Sequence, residues 1–342
     1  MSQSTVSQLR PLAPNSALEM YFQQREKEVS DATYQSHQYR LNHFARWSDE
    51  VGLDNMNDLT GRKLHEYRLW RRRDGDLNSV SVRTQMSTLR TFIRFCERID
   101  AVPDGLHKRV DIPTINGDDG SRESMLDPDD AAQIIDYHRK FEYASGQHVV
   151  VELLWRTGIR IGSLRALDVG DYDPRERSLE LVHRPETDTP LKNQSGGERF
   201  ISVRPSVCDL LDDWIEHQRP ETTDDYGREP LITSQHGRMH TSNLRVLVYC
   251  ATRPCVYAEC PKDRNPNECE AARRMDKASS CPVNSPPHDL RRGAITNMLR
   301  QEVPIDAVSD RVNAGRDVLE THYSQLTERE KMLQRRTLFD EL

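Results

Sequence analysis

The sequence predicts a mainly α-helical protein with a small antiparallel β-sheet, divided into an N-terminal all-α domain and a C-terminal α+β domain. Apolar residues recur at helical spacing through residues 15–100. Residues 101–124 are rich in Pro, Gly and Asp, and residues 178–204 change to a strand-like pattern. A length of 342 residues fits two domains, since one domain usually takes roughly 100–200 residues.

The composition is acidic overall but strongly biased among its basic residues. The net charge is −7 and the pI about 6.0, while 40 of the 48 basic residues are Arg and 8 are Lys. An acidic, Lys-poor surface suits high salt, so we interpret the protein as halophilic and archaeal; an ordinary acidic enzyme with chance Arg use is the alternative. The sequence contains no membrane-span pattern and no opening signal segment, so we expect a cytoplasmic protein.

The N-terminal domain is predicted to follow a flexible lead, residues 1–14, and to span residues 15–100. Four amphipathic stretches there indicate four helices around a core of their own. Its last two helices carry a basic cluster, which is either a solvated face or a set of phosphate contacts: Arg68, Arg71, Arg72, Arg73, Arg83, Arg90 and Arg94. Residues 101–124 are predicted to be a linker, and the second domain to span residues 125–342, with a helix beginning at Asp127.

A helix break places one arginine of the second domain in a special position. Within residues 147–166, an apolar helix is predicted to end at Gly158 and another to begin near Ile159. Arg160 therefore lies at a helix N-terminus, where free backbone N–H groups and the helix dipole favour an anion. An exposed residue beside a helix cap is the alternative interpretation.

Two strand-like segments, SLELV and ERFISV, lie within residues 178–204 and are joined by a loop that contains Pro and Gly. Lys192 lies in this loop and is the only Lys between Lys140 and Lys262. A lysine in such a loop is most often an exposed surface residue. Because lysine is scarce in this chain, we favour a functional role for Lys192. A core-packing helix is predicted to begin at Pro205.

Residues 250–287 form a cysteine-rich insertion with few apolar residues. Cys255, Cys260, Cys269 and Cys281 have the spacing C-x4-C-x8-C-x11-C. Four thiolates on a segment without a core would suit a structural, tetrahedral zinc ion, with Cys250 as a possible alternative ligand. Free cysteines in a loose insertion are the alternative. The odd total of seven Cys argues against a disulfide framework.

The stretch from His288 to Tyr323 carries the residue types that a phosphodiester-breaking site needs. His288 and Arg291 lie three residues apart at the start of a predicted helix, so they share a face. A second helix is predicted over Val303–Val312 and a third over Asp317–Tyr323. An arginine can hold a phosphate through two hydrogen bonds, a histidine can exchange a proton, and a tyrosine can attack phosphorus.

These residues resemble the signature of the tyrosine recombinase (phage integrase) family. Its pattern is H-x-x-R on a helix, then a glycine-flanked His or Trp, then a Tyr nine residues later. The segment TGIRIGSLRAL also resembles the family's first arginine motif, T-G-x-R-x-x-E-L-x-x-L, with Arg160 at its arginine. Two positions depart from the pattern: Ser163 replaces the acid, and Ala314 replaces the second His or Trp.

The resemblance implies a core-binding (SAM-like) domain over residues 15–100, a catalytic domain over residues 125–342, and double-stranded DNA bound by a homo-tetramer. It implies site-specific recombination or integration without a catalytic cofactor, carried out by five residues: Arg160, Lys192, His288, Arg291 and Tyr323. The arginines would clamp the scissile phosphate, the tyrosine would form a 3′-phosphotyrosyl bond, the histidine would assist proton transfer, and the lysine would protonate the leaving 5′ oxygen.

Two alternatives stay open within this resemblance: a non-catalytic DNA-binding protein on the same fold, and a type IB topoisomerase-like enzyme. Because Ala314 cannot donate a hydrogen bond, another donor is expected to replace it. Arg316 is the candidate, His322 is the weaker one, and a plain surface position for Arg316 is the alternative. In the family, a helical tail such as residues 326–342 often docks on a neighbouring subunit.

Overall fold

Helices dominate both units of the chain in the computed structural model, which describes residues 9–115 and 124–322 and the isolated positions 329, 332 and 336. The chain divides into Met1–Arg122 and Glu123–Leu342. Each unit has its own hydrophobic core. The predicted fold class, helices with a small antiparallel sheet, is confirmed.

Four helices build the described part of the first unit, and capping residues mark where two of them begin. They span α1 (Pro14–Arg25), α2 (Asp31–Glu50), α3 (Gly61–Asp74) and α4 (Ser79–Arg98). The side chains of Thr60 and Asn78 accept hydrogen bonds from the amides of Lys63 and Ser81, which caps α3 and α4. The apolar faces of the helices meet in one core around Phe92.

The residues that follow α4 belong to this core rather than to a linker. Leu106 and Val110 are buried in it, and Glu97 accepts hydrogen bonds from the amide and the ring of His107. The prediction that a linker begins at residue 101 is therefore wrong at its N-terminal end. The reason is that Leu106 and Val110, four residues apart, pack into the core beside α4 and hold this stretch there despite its Pro and Gly residues. Residues 116–123 lie outside the described residues.

The basic cluster divides into structural arginines and exposed ones. Arg71 is 3% exposed and forms an ion pair with Asp74 at 3.3 Å. Three others hold the segment 110–113 through an ion pair or carbonyl hydrogen bonds: Arg68, Arg83 and Arg90. The remaining three are exposed and form no ion pair among the described residues: Arg72, Arg73 and Arg94. Among the described residues, these last three have no partner that would compete with a predicted phosphate contact.

The second unit surrounds a central helix, α6, that is buried along most of its length. Its helices are α5 (Pro128–Phe141), α6 (Gly146–Thr157), α7 (Ile161–Ala166), α8 (Pro205–Asp213), α9 (Thr241–Ala251), α10 (Pro254–Tyr257), α11 (Glu270–Arg273), α12 (Pro287–Arg300), α13 (Ile305–Val312) and α14 (Arg316–His322). Helices α5, α9 and α12 pack against α6. Within the described ranges, no helix is both long and apolar enough to cross a membrane.

A three-stranded antiparallel sheet lies beside these helices. It consists of β1 (Tyr172–Asp173), β2 (Ser178–Leu181) and β3 (Arg199–Ser202), in that order. Leu179 pairs with Ile201 across β2 and β3, and both side chains are buried. A separate short hairpin is formed by β4 (Thr233–Ser234) and β5 (Gly237–Arg238). The strands predicted on both sides of Lys192 are thus β2 and β3.

A group of ion pairs fixes the end of α7 against the sheet. Asp168, two residues beyond α7, binds Arg228 at 2.6 Å and Arg238 at 2.5 Å. Asp171 binds Arg184 at 2.5 Å. These side chains are mostly buried, and removing one partner of a buried pair leaves an uncompensated charge. The helix that follows Arg160 is therefore held firmly in place.

Candidate active site

Arg160 lies in the sharp turn between α6 and α7. Gly158 ends α6 with φ +66°, and its amide donates to the carbonyl of Leu154 at 3.0 Å. A Cβ atom on Gly158 would lie 3.1 Å from a methyl group of Val312, so this position needs a glycine for both its conformation and its packing. Arg160 itself is the N-cap residue of α7, as the sequence predicts.

Arg291 projects from the first turns of α12 and is almost completely buried, with 2% of its surface exposed. Its guanidinium donates to the carbonyl of Gly158 at 2.5 Å and to the carbonyl of Val312 at 3.0 Å. The side chain thus connects the α6–α7 turn with the end of α13. His288 and Arg291 lie on one helix, as predicted, because Pro287 occupies its first turn.

Three arginines bind three consecutive carbonyls at the C-terminal end of α13. Arg199 Nε donates to the carbonyl of residue 311 at 2.8 Å, Arg291 Nη2 to that of residue 312 at 3.0 Å, and Arg160 Nη1 to that of residue 313 at 3.0 Å. Carbonyls at a helix C-terminus lack helical partners and carry partial negative charge, so they suit cations. We call these three arginines, with the carbonyls of residues 311–313, the arginine clamp.

Two arginines of the clamp, Arg160 and Arg199, face little opposing charge from the described residues. Neither Arg160 nor Arg199 forms an ion pair with a carboxylate in the part of the chain that the structure describes. Burial, and then the charges of Arg291, Arg160 and Arg311, lower the pKa of Arg199 to about 10. Positive groups that crowd one another in this way favour an anion at their exposed side.

His288 lies at the start of α12, beside the arginine clamp. Partial desolvation of the ring, followed by the charges of Arg292 and Arg291, lowers the pKa of His288 below its usual value. The surroundings of His288 therefore favour the neutral form of its imidazole ring. The structure thus brings Arg160, His288 and Arg291 together.

Lys192 is exposed in the connection between β2 and β3. Its ammonium group makes no hydrogen bond or ion pair with any other described residue. The connection is tied to the end of α13 by the side chain of Asn313, which has φ +49°. Asn193 Nδ2 donates to Asn313 Oδ1 at 2.5 Å, and Asn313 Nδ2 donates to the carbonyl of Gly196 at 2.6 Å. We call these two bonds the Asn313 latch.

Ala314 faces a small core rather than the arginine clamp. Its exposed fraction is 8%, and it packs with Ile295, Val308 and Leu319. The expected replacement donor, Arg316, is turned toward acids on the surface. It forms ion pairs with Glu320 at 3.0 Å and Asp306 at 3.8 Å, so the surface interpretation of Arg316 is the better one.

Arg199 is the site residue that the sequence reasoning missed. It shares the inward side of β3 with the buried Ile201, because alternate residues of a strand face the same side. A charged residue at an inward position of a strand was the available signal. Tyr323, the predicted nucleophile, lies outside the described residues, as do most of the tail residues 326–342, and the side chain of His322 is also not described.

Four cysteines of the insertion converge on one place. Cys255, Cys260, Cys269 and Cys281 line a single cavity of about 20 Å³. Backbone N–H groups of Ala272 and Ala271 lower the pKa of Cys269, whereas burial raises that of Cys255. As they stand, no three His, Cys, Asp or Glu side chains among the described residues form a group that could hold a metal ion.

Cys250, the alternative zinc ligand of the sequence analysis, does not join the other four cysteines. It is buried within α9 and is 1% exposed. It is absent from the residues that line the cavity. Ala271, which lines the cavity, and Ala278 are buried residues of the insertion, so the segment has a very small apolar core.

Two family models match the chain. The model of the phage integrase family matches residues 124–313, and that of the phage integrase N-terminal SAM-like domain matches residues 19–99. The first match alone covers 190 of the 342 residues, more than half of the chain.

Individual relatives are distant. Tyrosine recombinase XerC of Pseudomonas syringae pv. tomato is 23% identical over 216 residues, which span 62% of this chain and 66% of the relative, just under two thirds of its length. The Tn1549 transposon integrase in complex with transposon right end DNA is 15% identical with a TM-score of 0.69, covering 96% of this chain and 99% of that one. A lambda integrase tetramer bound to a Holliday junction is 13% identical with a TM-score of 0.64, covering 94% and 81%. At these identities the two structures show the shared fold.

Proposed function

The chain belongs to the phage integrase family, and on that premise we propose that it is a site-specific DNA recombinase of the tyrosine type. The observation that carries the proposal is the arginine clamp with His288 beside it. Two guanidinium groups from distant parts of the chain, Arg160 and Arg291, are oriented by adjacent carbonyls. Such a rigid pair of cations is suited to the non-bridging oxygens of one phosphate.

In the proposed reaction, the phenolic oxygen of Tyr323 attacks phosphorus while His288 assists removal of the phenolic proton. A bond between phosphorus and the tyrosine oxygen forms as the bond to the 5′ oxygen breaks, leaving a 3′-phosphotyrosyl linkage. Lys192 gives its proton to the leaving 5′ oxygen. Attack by a 5′ hydroxyl reverses the steps and rejoins DNA, so phosphodiester bonds are exchanged without net hydrolysis. Tyrosine recombinases need no catalytic cofactor.

We propose double-stranded DNA as the partner and a homo-tetramer as the form active on it. Arg72, Arg73 and Arg94 of the first unit are exposed cations suited to backbone phosphates. The lambda integrase neighbour is a tetramer bound to a Holliday junction, and recombination between two duplexes needs four strand cleavages. The acidic, Lys-poor composition supports a high-salt cytoplasm as the setting.

A second candidate, a non-catalytic DNA-binding protein on the same fold, is favoured by one observation. Ala314 supplies no donor where the family pattern has His or Trp, and losing a transition-state donor typically costs about 10²–10³ in rate. A topoisomerase-like enzyme would instead form the covalent bond yet relax supercoils without exchanging partners. Covalent trapping followed by a strand-exchange assay separates the three functions.

The test begins with a pool of nicked DNA duplexes that contain a randomised core. The wild-type protein should become covalently attached to members of this pool, and sequencing the trapped DNA identifies a substrate duplex. Tyr323→Phe should bind that duplex as tightly as wild type and trap none of it. An adduct that survives this substitution would show that Tyr323 is not the nucleophile, and absence of any adduct with wild type would favour the non-catalytic candidate.

We also propose a structural zinc ion on Cys255, Cys260, Cys269 and Cys281. The support is that these four thiols, spread over 27 residues, line one small cavity in a segment with almost no core. Zinc would draw the thiolates from their present positions to about 2.3 Å from the metal. All seven cysteines, each within the described ranges, are free thiols, which suits a reducing cytoplasm.

Metal analysis of protein purified without added metal should find about one zinc per chain, since four thiolates fill one tetrahedral site. Cys281→Ser should lose the metal. Cys250→Ser is the matched control, because Cys250 lies in α9 and does not line the cavity, and should retain the metal. Metal-free wild-type protein with all four thiols reactive in the folded state would refute the zinc proposal.

A further inference from the structure

We propose that Arg199 is a third arginine of the phosphate-binding site and supplies the donor that Ala314 lacks. The inference deepens the proposed recombinase function and rests on it. It assigns a role in transition-state stabilisation to a residue that the H-x-x-R and first-arginine motifs do not contain. Its basis is the geometry of the end of α13.

Arg199 is held in the same manner as the two arginines of the motifs. The three side chains bind the carbonyls of residues 311, 312 and 313 in succession, although they come from β3, α12 and the α6–α7 turn. Arg199 Nη1 donates in addition to the carbonyl of Gly197 at 2.6 Å. Two of its nitrogens are thus fixed by backbone, while Nη2 makes no hydrogen bond within the described residues.

This arrangement leaves a half-buried cation that has no carboxylate partner among the described residues. Burying a charge is costly unless the charge is paired, and the charges of Arg160 and Arg291 oppose that of Arg199 rather than balance it. An anion with several oxygens would pair with all three guanidinium groups at once. A DNA phosphate is the anion that the proposed function brings to this place.

Neighbouring arginines are less suited to the role. Arg311 donates to the carbonyls of Arg156 and Ser202 at 3.1 and 3.0 Å, so its guanidinium fastens α13 to β3 and α6. Arg316 pairs with Glu320 on the surface. Arg199 therefore remains as the cation that is oriented by backbone, close to Arg160 and Arg291, and holds an unused donor.

The experiment measures single-turnover cleavage of the duplex recovered by covalent trapping. Arg199→Ala should reduce cleavage by about 10²–10³-fold, the usual effect of removing one transition-state donor, while DNA binding stays within a few-fold of wild type. Arg199→Lys should recover only part of the rate, because an ammonium group keeps the positive charge but lacks the planar set of N–H donors of a guanidinium group.

A neutral substrate separates phosphate binding from a merely structural role. A methylphosphonate at the scissile position replaces one charged non-bridging oxygen with a methyl group. The Arg199→Ala defect should shrink to below tenfold on this substrate, because less negative charge develops there. Arg219→Ala is the matched control: Arg219 is also desolvated and donates to two backbone carbonyls, those of Pro230 and Thr222, but outside the arginine clamp. It should cleave both substrates like wild type.

The cleavage assays distinguish failure of the Arg199 role from failure of the recombinase function. Wild-type cleavage by Arg199→Ala, or an equal defect on the phosphate and methylphosphonate substrates, would overturn the role of Arg199 and leave the recombinase function intact. Failure of the wild-type protein to cleave and trap any nicked duplex of the pool would overturn the recombinase function and this inference with it. Thermal unfolding of both alanine variants shows whether they fold equally well.

Discussion

Replacing Asn313 by glycine should slow DNA cleavage while leaving the fold nearly unchanged. The substitution removes the Asn313 latch, which ties the Lys192 connection to the end of α13. It keeps the carbonyl of residue 313 that accepts from Arg160, and glycine adopts the observed φ of +49° without strain. The arginine clamp should therefore survive while Lys192 loses its restraint.

The size of the effect follows from the two hydrogen bonds of the latch. Each is worth about 0.5–1 kcal/mol at an exposed position, so the pair contributes about 1–2 kcal/mol to ordering the connection. If Lys192 protonates the leaving oxygen only from the ordered state, cleavage should fall by roughly 5- to 30-fold, since about 1.4 kcal/mol corresponds to tenfold. Asn313→Ala should show the same kinetic defect and lower stability, because a left-handed alanine costs about 1–2 kcal/mol.

Single-turnover cleavage on two substrates measures this effect. A duplex with sulfur in place of the bridging 5′ oxygen has a leaving group that needs no proton, so it should restore much of the rate of Asn313→Gly. Lys192→Ala serves as the reference, with a larger defect of about 10²–10⁴-fold on ordinary DNA and a similar rescue. Wild-type cleavage by Asn313→Gly, or an equal defect on both substrates, would refute the reasoning.

Three further results are expected. Arg316→Ala should leave single-turnover cleavage within about twofold, since an exposed ion pair such as that with Glu320 contributes roughly 0–1 kcal/mol; a large loss would revive its role as a donor. Burial, followed by the charge of His138, lowers the pKa of His148 to about 4 in the folded protein. In the unfolded chain the same histidine takes up a proton below about pH 6.5, so protonation favours unfolding between these two pH values. Stability should therefore fall as pH drops from about 6.5 to 4, and the unfolding temperature of His148→Asn should decline less over that range. Gly158→Ala should destabilise the protein by about 1–2 kcal/mol in denaturant unfolding, because φ is +66° there, a left-handed conformation that is unfavourable for alanine. The added Cβ would also lie in tight contact, 3.1 Å from Val312 Cγ1; unchanged stability would contradict this reasoning.

The sequence was informative where function depends on local pattern. Apolar spacing identified α4 and α12, and the short interval between His288 and Arg291 placed both on one helix face. Gly158 predicted the turn between α6 and α7 in which Arg160 lies. Because these features depend on neighbours within a few residues, a single sequence carries them, and the family match confirms the resemblance they suggested.

Contacts between segments that are distant in the sequence could not be predicted from local patterns. Arg199 meets the carbonyl of residue 311 across 112 positions, and periodicity in either segment says nothing about such a meeting. Arg68, Arg83 and Arg90 looked like members of one basic face, yet they hold the segment 110–113, which composition alone had marked as a linker. The roles of an arginine depend on which carbonyl or carboxylate the folded chain brings to it.

The arginine clamp has a consequence for how this part of the protein can evolve. Its acceptors are main-chain oxygens, which every residue type possesses, so no particular side chain at positions 311–313 is required to hold Arg160, Arg199 or Arg291. A substitution at these positions need not release the three arginines as long as α13 keeps its end and residue 313 keeps its left-handed conformation. The side chains of Arg311, Val312 and Asn313 nevertheless have contacts of their own.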